Sequence, residues 1–592
     1  MSHVLVISIG PVQDFIAAAR KTRDLWFGSH MLSEVSRAAA EALIGRAQLV
    51  FPALASDLPS PKAEGGEQPI ANKIVALVAD GAPSDAAQAA REAAQRRLEE
   101  YKGETLERLA KRASGLEIDE EAVNGQLKNF LEFYAAWWPV EGEEAYSHAL
   151  RQAERLLAGR KALRDFAPNC GKAGVPKSSL DGGRESVLTK ADKAAFPAVG
   201  IKRGEQLDGI SLIKRVAEPK RFVSVSRVAA DPLVRRLERD APEALAALKN
   251  LAAELADTDL AQRFAGVKQY DAFPYDTQLF YGEPSPTEIK QLGLDEGAKQ
   301  KSKKFHKIVR DTCKNLKLGE PPAYFAVLVA DADRMGELIG DIKNPKDHHA
   351  FSSCLAKFAT RAGEIVTKHQ GAMVYSGGDD VLAFLPLDTV LQCADELRQT
   401  FATHLQDFAH GSTKPSLSCG VSIGHYGEHL KNLIDWARRA ERAAKEAGRN
   451  SLAVHLHTRT AGEEFVGAAH SWDADPVASR WQRWTAMYLQ DRMPSRAAFD
   501  LRNLARDFRG LQQDAGQVLA DEMRRVLKRK KGEHGRQEMS AEDVEYLLSC
   551  ARSNGDAAVD LRALDSLVNE LLIARRLAET ARIASAEGGE PR

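Results

Sequence analysis

Asp379 and Asp380 follow Gly377-Gly378 between two apolar, strand-forming runs, Ala372 to Ser376 and Val381 to Pro386. Glycines at such a tip allow the positive φ angles of a tight hairpin turn, so the pattern predicts a β-hairpin that carries two carboxylates at its end. A second apolar run, Tyr324 to Ala330, leads directly into Asp331-Ala332-Asp333. Laid beside the hairpin, it would bring Asp331, Asp379 and Asp380, together with Asp333, to one sheet edge. Clustered carboxylates form a hard-oxygen site for Mg²⁺ or Mn²⁺, and a pair of such ions can activate a hydroxyl and support in-line displacement at phosphorus. Each piece alone also reads as a polar turn or a helix cap. The two together, each at the end of an apolar strand, favour the metal site.

Several elements must hold these residues. Leu417 to Gly424 reads as a third strand of the unit, and helices at about 348–369 and 388–408 bracket the hairpin. From Leu433 onward apolar positions recur at helical spacing until Gly448, where a C′ glycine belongs. Lys445 and Arg449 therefore stand at a helix end, where they reach a triphosphate or simply complement the helix dipole. Near the N-terminus, residues 3–9 read as a strand broken by Gly10-Pro11, helices follow at about 12–22 and 29–46, and Ile74 to Val78 is another strand. The two regions share one α+β plan, which suggests an internal duplication. The first copy lacks the carboxylates, since Gly10-Pro11 and Asn72-Lys73 occupy the corresponding places. Arg20, Lys21 and Arg23 there read either as phosphate contacts or as an exposed basic face.

The chain has 592 residues, enough for several domains. Its 82 basic and 83 acidic side chains nearly cancel, which argues against wholesale wrapping of nucleic acid. Six scattered cysteines form no close pair, and no apolar stretch is long enough for a membrane span or an export signal, so a reduced cytoplasmic protein is expected. Residues 140–310 read as irregular and helical, and residues after about 470 as almost entirely helical. Cys170-Gly171 supplies one ligand where a tetrahedral zinc site needs four. Two basic runs, Lys299 to His306 and Arg524 to Lys531, read as solvated helix faces or, for the second, as an RNA contact.

The hairpin, the Asp331 strand and Ala444-Lys445 with Gly448-Arg449-Asn450 resemble the palm of the polymerase and nucleotidyl-cyclase superfamily. The segments Gly10 to Ser29 and Gly204 to Arg215 narrow the resemblance to the large, Cmr-type subunit of type III-B CRISPR effector complexes. It implies an α+β fold with two ferredoxin-like palms: a degenerate first palm over 1–150, a helical middle domain over 151–310, a second palm over 311–465 and a helical domain over 466–592. It implies guide crRNA, target RNA, ATP and other Cmr-type subunits as partners, with no membrane. The implied activity is synthesis of cyclic oligoadenylates from ATP once target RNA pairs with the guide. Asp331, Asp379 and Asp380 would be catalytic and, with Asp333, would hold two Mg²⁺ or Mn²⁺ ions. Ser376, Gly377, Gly378, Lys445 and Arg449 would bind nucleotide. Two departures stand out. The HD nuclease domain that begins many relatives is not expected here, with Asp347-His348-His349 read as a surface turn, and the four-cysteine zinc element is reduced to Cys170. A scaffold that holds the guide's 5′ end, or a synthase that joins adenylate to S-adenosylmethionine, is the alternative reading.

Overall fold

The structure, a computed structural model, describes residues 2–54, 70–79, 81–141, 145–163, 171–189, 196–216, 222–258, 260–409, 414–459, 465–473, 477–510, 516–528, 539–552 and 558–585. It is an α+β chain built on two sheets. The first contains β1 (His3–Gly10), β2 (Gln48–Phe51), β3 (Lys73–Val78) and β4 (Glu132–Pro139) in the order β2-β3-β1-β4. The second contains β5 (Tyr324–Ala332), β6 (Ala372–Ser376), β7 (Asp380–Leu385), β8 (Leu417–His425), β9 (Ser451–His457) and β10 (Phe465–Ser471) in the order β10-β9-β8-β5-β7-β6. Without β9 and β10 its order, β6-β7-β5-β8, repeats that of the first sheet, and the neighbouring pairs in both are antiparallel. This is the ferredoxin-like arrangement, found twice.

Alternation along β5 explains how the second sheet is packed. Ala326, Leu328 and Ala330 face the helices Pro345–Lys368 and Val390–Leu405, in a core that continues into the C-terminal helices around Trp481 and Trp484. Phe325, Val327 and Val329 face the other way. They pack with Leu433, Ile434 and Ala437 of the helix Leu430–Glu446, in the same core as Leu5, Ile7 and Ile9 of β1. The two palm-like units therefore share one hydrophobic core. A separate core holds the middle helices, with Leu248, Phe273, Phe280 and Phe305 at its centre. Among the described residues no helix is long and apolar enough to cross a membrane.

Several sequence expectations need correction. Residues 84–135, rich in Ala, Glu and Arg, read from sequence as long helices, but Glu132 begins β4, a strand that pairs with β1 along its whole length. His348 is not in a surface turn. It lies in the helix Pro345–Lys368, 2 % exposed, and its Nδ1 stands 2.6 Å from the Tyr146 hydroxyl. Arg23 is equally buried: its guanidinium donates to the Arg215 carbonyl at 3.1 Å and lies over the Phe222 ring. Cys170 and residues 529–531 of the second basic run lie outside the described residues.

Candidate nucleotide site between the two sheets

The tip of the β6–β7 hairpin is tied to the end of β5. Asp331 stands opposite Asp380 in the β5–β7 register, and the Ala332 amide donates to the Asp379 carbonyl at 3.1 Å. The turn closes through the Gly377 amide, which donates to the Asp380 carbonyl at 2.9 Å. Gly378 has φ +106°, a conformation that L side chains rarely adopt, so the residue type follows from the turn.

Electrostatics at this tip are unfavourable to charge. Burial pushes the Asp379 carboxyl up to about 6, with the Asp331 charge adding to the effect. Burial and the charges of Asp379 and Asp331 push Asp380 up to about 7, against the Tyr375 hydroxyl and the Gly377 amide, which donate to it. Two buried carboxylates that resist ionisation side by side are what a nearby cation relieves. One cation is already present. Lys445 binds the Asp331 carboxylate and pairs with Glu441 at 2.8 Å; burial opposes its charge, but these two acids outweigh it and raise its pKa. The helix that carries Lys445 lies unusually close to β8, because a Cβ at Gly420 would run into the Glu441 backbone.

Asp333 does not join the other carboxylates. Ser416 and Ser418 donate to its two oxygens at 2.8 and 2.7 Å, and the Asn450 amide donates at 2.9 Å. At 2 % exposed it ties the start of β8 to the turn after the Lys445 helix, with both its oxygens hydrogen-bonded within the protein. Arg449, with φ +64°, is exposed in that turn, and among the described residues no ion pair brings it to the carboxylates.

Asp379 and Asp380 open into a cavity of about 520 Å³ between the two sheets. Tyr375, Ser376, Gly377 and His348 line it on the second-sheet side. The Ser376 hydroxyl, 1 % exposed, has no hydrogen-bond partner among the described residues. From the first unit come Ser29, Ser33, Asn72, Lys73, Arg151 and Glu154. Lys73 pairs with Glu154, and its charge favours ionisation of Asp379 across the cavity. Sequence reasoning named Lys73 only as a missing acid and missed Ser29, Arg151 and His348. Nothing local marks them, since only the packing of one sheet against the other brings them to the hairpin. Arg20, Lys21 and Arg23 do not line the cavity.

Among the described residues no group of three or more His, Cys, Asp and Glu side chains is placed to hold a metal ion. Mg²⁺ does not demand such a group, because it is usually held by one or two carboxylates together with substrate phosphates. Asp331 and Asp380, adjacent in register, with Asp379 beside them, fit that smaller requirement.

A second cluster lies behind the first sheet. Arg215 is fully buried and donates to Asp24 at 2.7 and 2.8 Å and to both Glu205 oxygens at 2.7 Å. Lys214 donates to the Phe15 and Ala18 carbonyls at 2.7 Å, and burial lowers its pKa to about 8. Both N-terminal signature segments thus meet in one buried network, which explains their residue types structurally.

Residues 324–453 match the family model described as Cas10/Cmr2, second palm domain, and residues 4–103 match the one described as CRISPR-associated protein Cmr2, N-terminal. A Cmr subunit Cmr2 of Pyrococcus furiosus is 31 % identical over 219 residues, which cover 31 % of this chain and 24 % of that protein. Cmr2 of Saccharolobus solfataricus is 43 % identical over 61 residues, 10 % of this chain and 6 % of that one. The chain thus aligns with a quarter or less of the length of these curated relatives. Among solved structures, type III-B Cmr-beta in its apo state aligns over 97 % of this chain and 81 % of the matched chain, with a TM-score of 0.63 and 14 % identity. The same complex bound to cognate target RNA gives 97 % and 83 %, again with a TM-score of 0.63 and 14 % identity.

Proposed function

We propose that this chain, whose residues 324–453 and 4–103 match Cas10/Cmr2 family models, is the large subunit of an RNA-guided type III-B CRISPR effector complex and that its second palm makes cyclic oligoadenylates from ATP. Guide crRNA, target RNA and other Cmr-type subunits are its partners in this reading, and the cytoplasm is its place. The chain divides functionally at about residues 150, 310 and 465, with chemistry confined to the third part.

One observation carries the reading. Gly377, Asp379 and Asp380 of the hairpin tip and the basic and hydroxyl side chains of the first unit line the same cavity, so two nucleotides have two walls to bind. In the proposed reaction a ribose 3′-hydroxyl of one ATP attacks the α-phosphate of another. The new O–P bond forms as the bond to pyrophosphate breaks, and the hydroxyl proton passes to water. A final attack by the chain's own 3′-end closes the ring.

Asp331, Asp379 and Asp380 would hold Mg²⁺ or Mn²⁺, which would lower the hydroxyl's pKa and offset charge on the phosphates. Lys445 shields Asp331 until substrate arrives and then faces the triphosphate. Arg449, exposed at the end of the same helix, adds charge at its outer end. Ser376, Gly377 and Gly378 contribute a hydroxyl and turn amides that bind phosphate or ribose. Lys73 and Arg151 orient the second nucleotide from the opposite wall.

The test is incubation of the reconstituted complex with labelled ATP, Mg²⁺ or Mn²⁺ and matched target RNA, with products read by mass spectrometry. Cyclic adenylates should form, vanish with a chelator, and vanish in Asp379→Ala with Asp380→Ala while the complex still assembles. No product from ATP, alone or with S-adenosylmethionine added, would sink the enzyme reading and leave a scaffold.

A further inference from the structure

The helix Glu296–Asn315 carries seven lysines and arginines against two acids. Its apolar stripe, Phe305, Val309 and Cys313, is buried in the middle core, so the basic residues are driven to the outside. Lys303, Lys304, Lys307, Arg310 and Lys314 are all exposed and recur at helical spacing along one face. Some exposed helical cations elsewhere in this protein are neutralised by an acid one turn away, among them Arg361 by Glu364 and Arg525 by Glu522. On this helix Lys299 pairs with Glu296, Lys301 with Glu254 and Arg310 with Asp311. In a chain whose net charge is −1, this is a concentrated positive stripe in which four lysines, Lys303, Lys304, Lys307 and Lys314, have no ion pair among the described residues.

We propose that this face of the helix Glu296–Asn315 binds the phosphodiester backbone of a single-stranded nucleic acid. Lys303 and Lys314 are about 16 Å apart along the axis at about 1.5 Å per residue, a row suited to several consecutive phosphates rather than to one small anion. A membrane surface fits poorly, because the helix has no apolar face left to insert. The flat, aromatic-free stripe reads charge and not bases, so binding is insensitive to sequence and strongly dependent on salt. Its end leads, through residues 316–323, into β5, the strand that carries Asp331. The stripe stands on charge and exposure alone, so failure of the cyclase reading leaves it standing, and the reverse also holds.

The experiment measures the binding of the full chain to labelled 20-nucleotide RNA and DNA by fluorescence anisotropy across a salt series. Each phosphate contact to a single strand contributes about 0.7 to the slope of log affinity against log salt. The triple variant Lys303→Gln, Lys307→Gln and Lys314→Gln should therefore lower the slope by about 2. A control on exposed residues of the first unit, Lys111→Gln, Arg112→Gln and Lys128→Gln, should leave it unchanged. Equal losses for RNA and DNA support recognition of the backbone itself; a loss confined to one supports the surface and identifies its strand. A slope equal to that of the parent, or an equal drop in the control, overturns the proposal. So does a triple variant that loses only its binding to poly-glutamate or to phosphatidylserine vesicles, run as parallel arms, which would point to an acidic protein or a membrane instead.

Discussion

Asp24 and Asp379 show how differently this chain treats a buried carboxylate. Asp24 is enclosed completely, yet the Arg215 guanidinium overcomes the burial and holds its carboxyl far below the usual range. Asp379 has no such partner and is pushed up to about 6. The first arrangement is neutralised as built; the second is not. Asp24→Asn should therefore leave Arg215 buried and half-paired, and destabilise the chain by about 3–5 kcal/mol in denaturant titration. A loss below about 1 kcal/mol would mean that Glu205 alone suffices. Asp379→Asn, by contrast, should not destabilise the protein, because it removes a repulsive charge; an increase in melting temperature alongside loss of nucleotide synthesis is the expected pair of results. At this scale the sequence was informative about residue types and poor about roles. Asp333 and Asp331 look equivalent two positions apart, and only the hydroxyls of Ser416 and Ser418, more than 80 positions downstream, tell them apart.

Among the elements, the β6–β7 hairpin and the helix Leu430–Glu446 place the chemistry. The hairpin was legible because turn glycines and flanking apolar runs are local signals. β4 was not, since its strand-forming Phe133, Tyr134, Trp137 and Trp138 follow a long Ala/Glu/Arg-rich helix and depend on pairing with β1, more than 120 residues away. β9 and β10 extend the sheet beyond the repeated unit and carried no separate signal. At Gly420 the helix lies so close to the sheet that a Cβ would run into the Glu441 backbone. Gly420→Ala should force the helix outward at a cost of about 1–3 kcal/mol and shift Lys445 away from Asp331. Loss of synthesis that exceeds the change in stability, measured on protein still folded by circular dichroism, is the expected outcome; unaltered synthesis would show that the placement of Lys445 is not limiting.

Over the whole molecule, the seam between the units holds a titratable latch. Tyr146 of the first unit and His348 of the second meet there, and burial lowers the His348 pKa to about 4. Between pH 6.5 and 4 the unfolded chain takes up a proton that the folded chain refuses, so stability falls as pH drops through that window. Asp379 and Asp380 contribute in the opposite sense over part of it, so the histidine's share is read by difference. His348→Gln should show a shallower fall in unfolding free energy between pH 6.5 and 4.5 than the parent chain; identical slopes would remove the latch. The seam was invisible in sequence, because a buried histidine that answers a tyrosine 202 positions away leaves no periodic trace.

The core that runs through this seam also bears on why the first sheet is there at all. The first sheet lacks the carboxylates, yet Leu5, Ile7 and Ile9 share their packing with Phe325, Val327 and Phe384 of the second. Without the first unit, the second would turn those aromatic and branched side chains to water. The first sheet is therefore tied to the second by packing, whether or not it carries carboxylates.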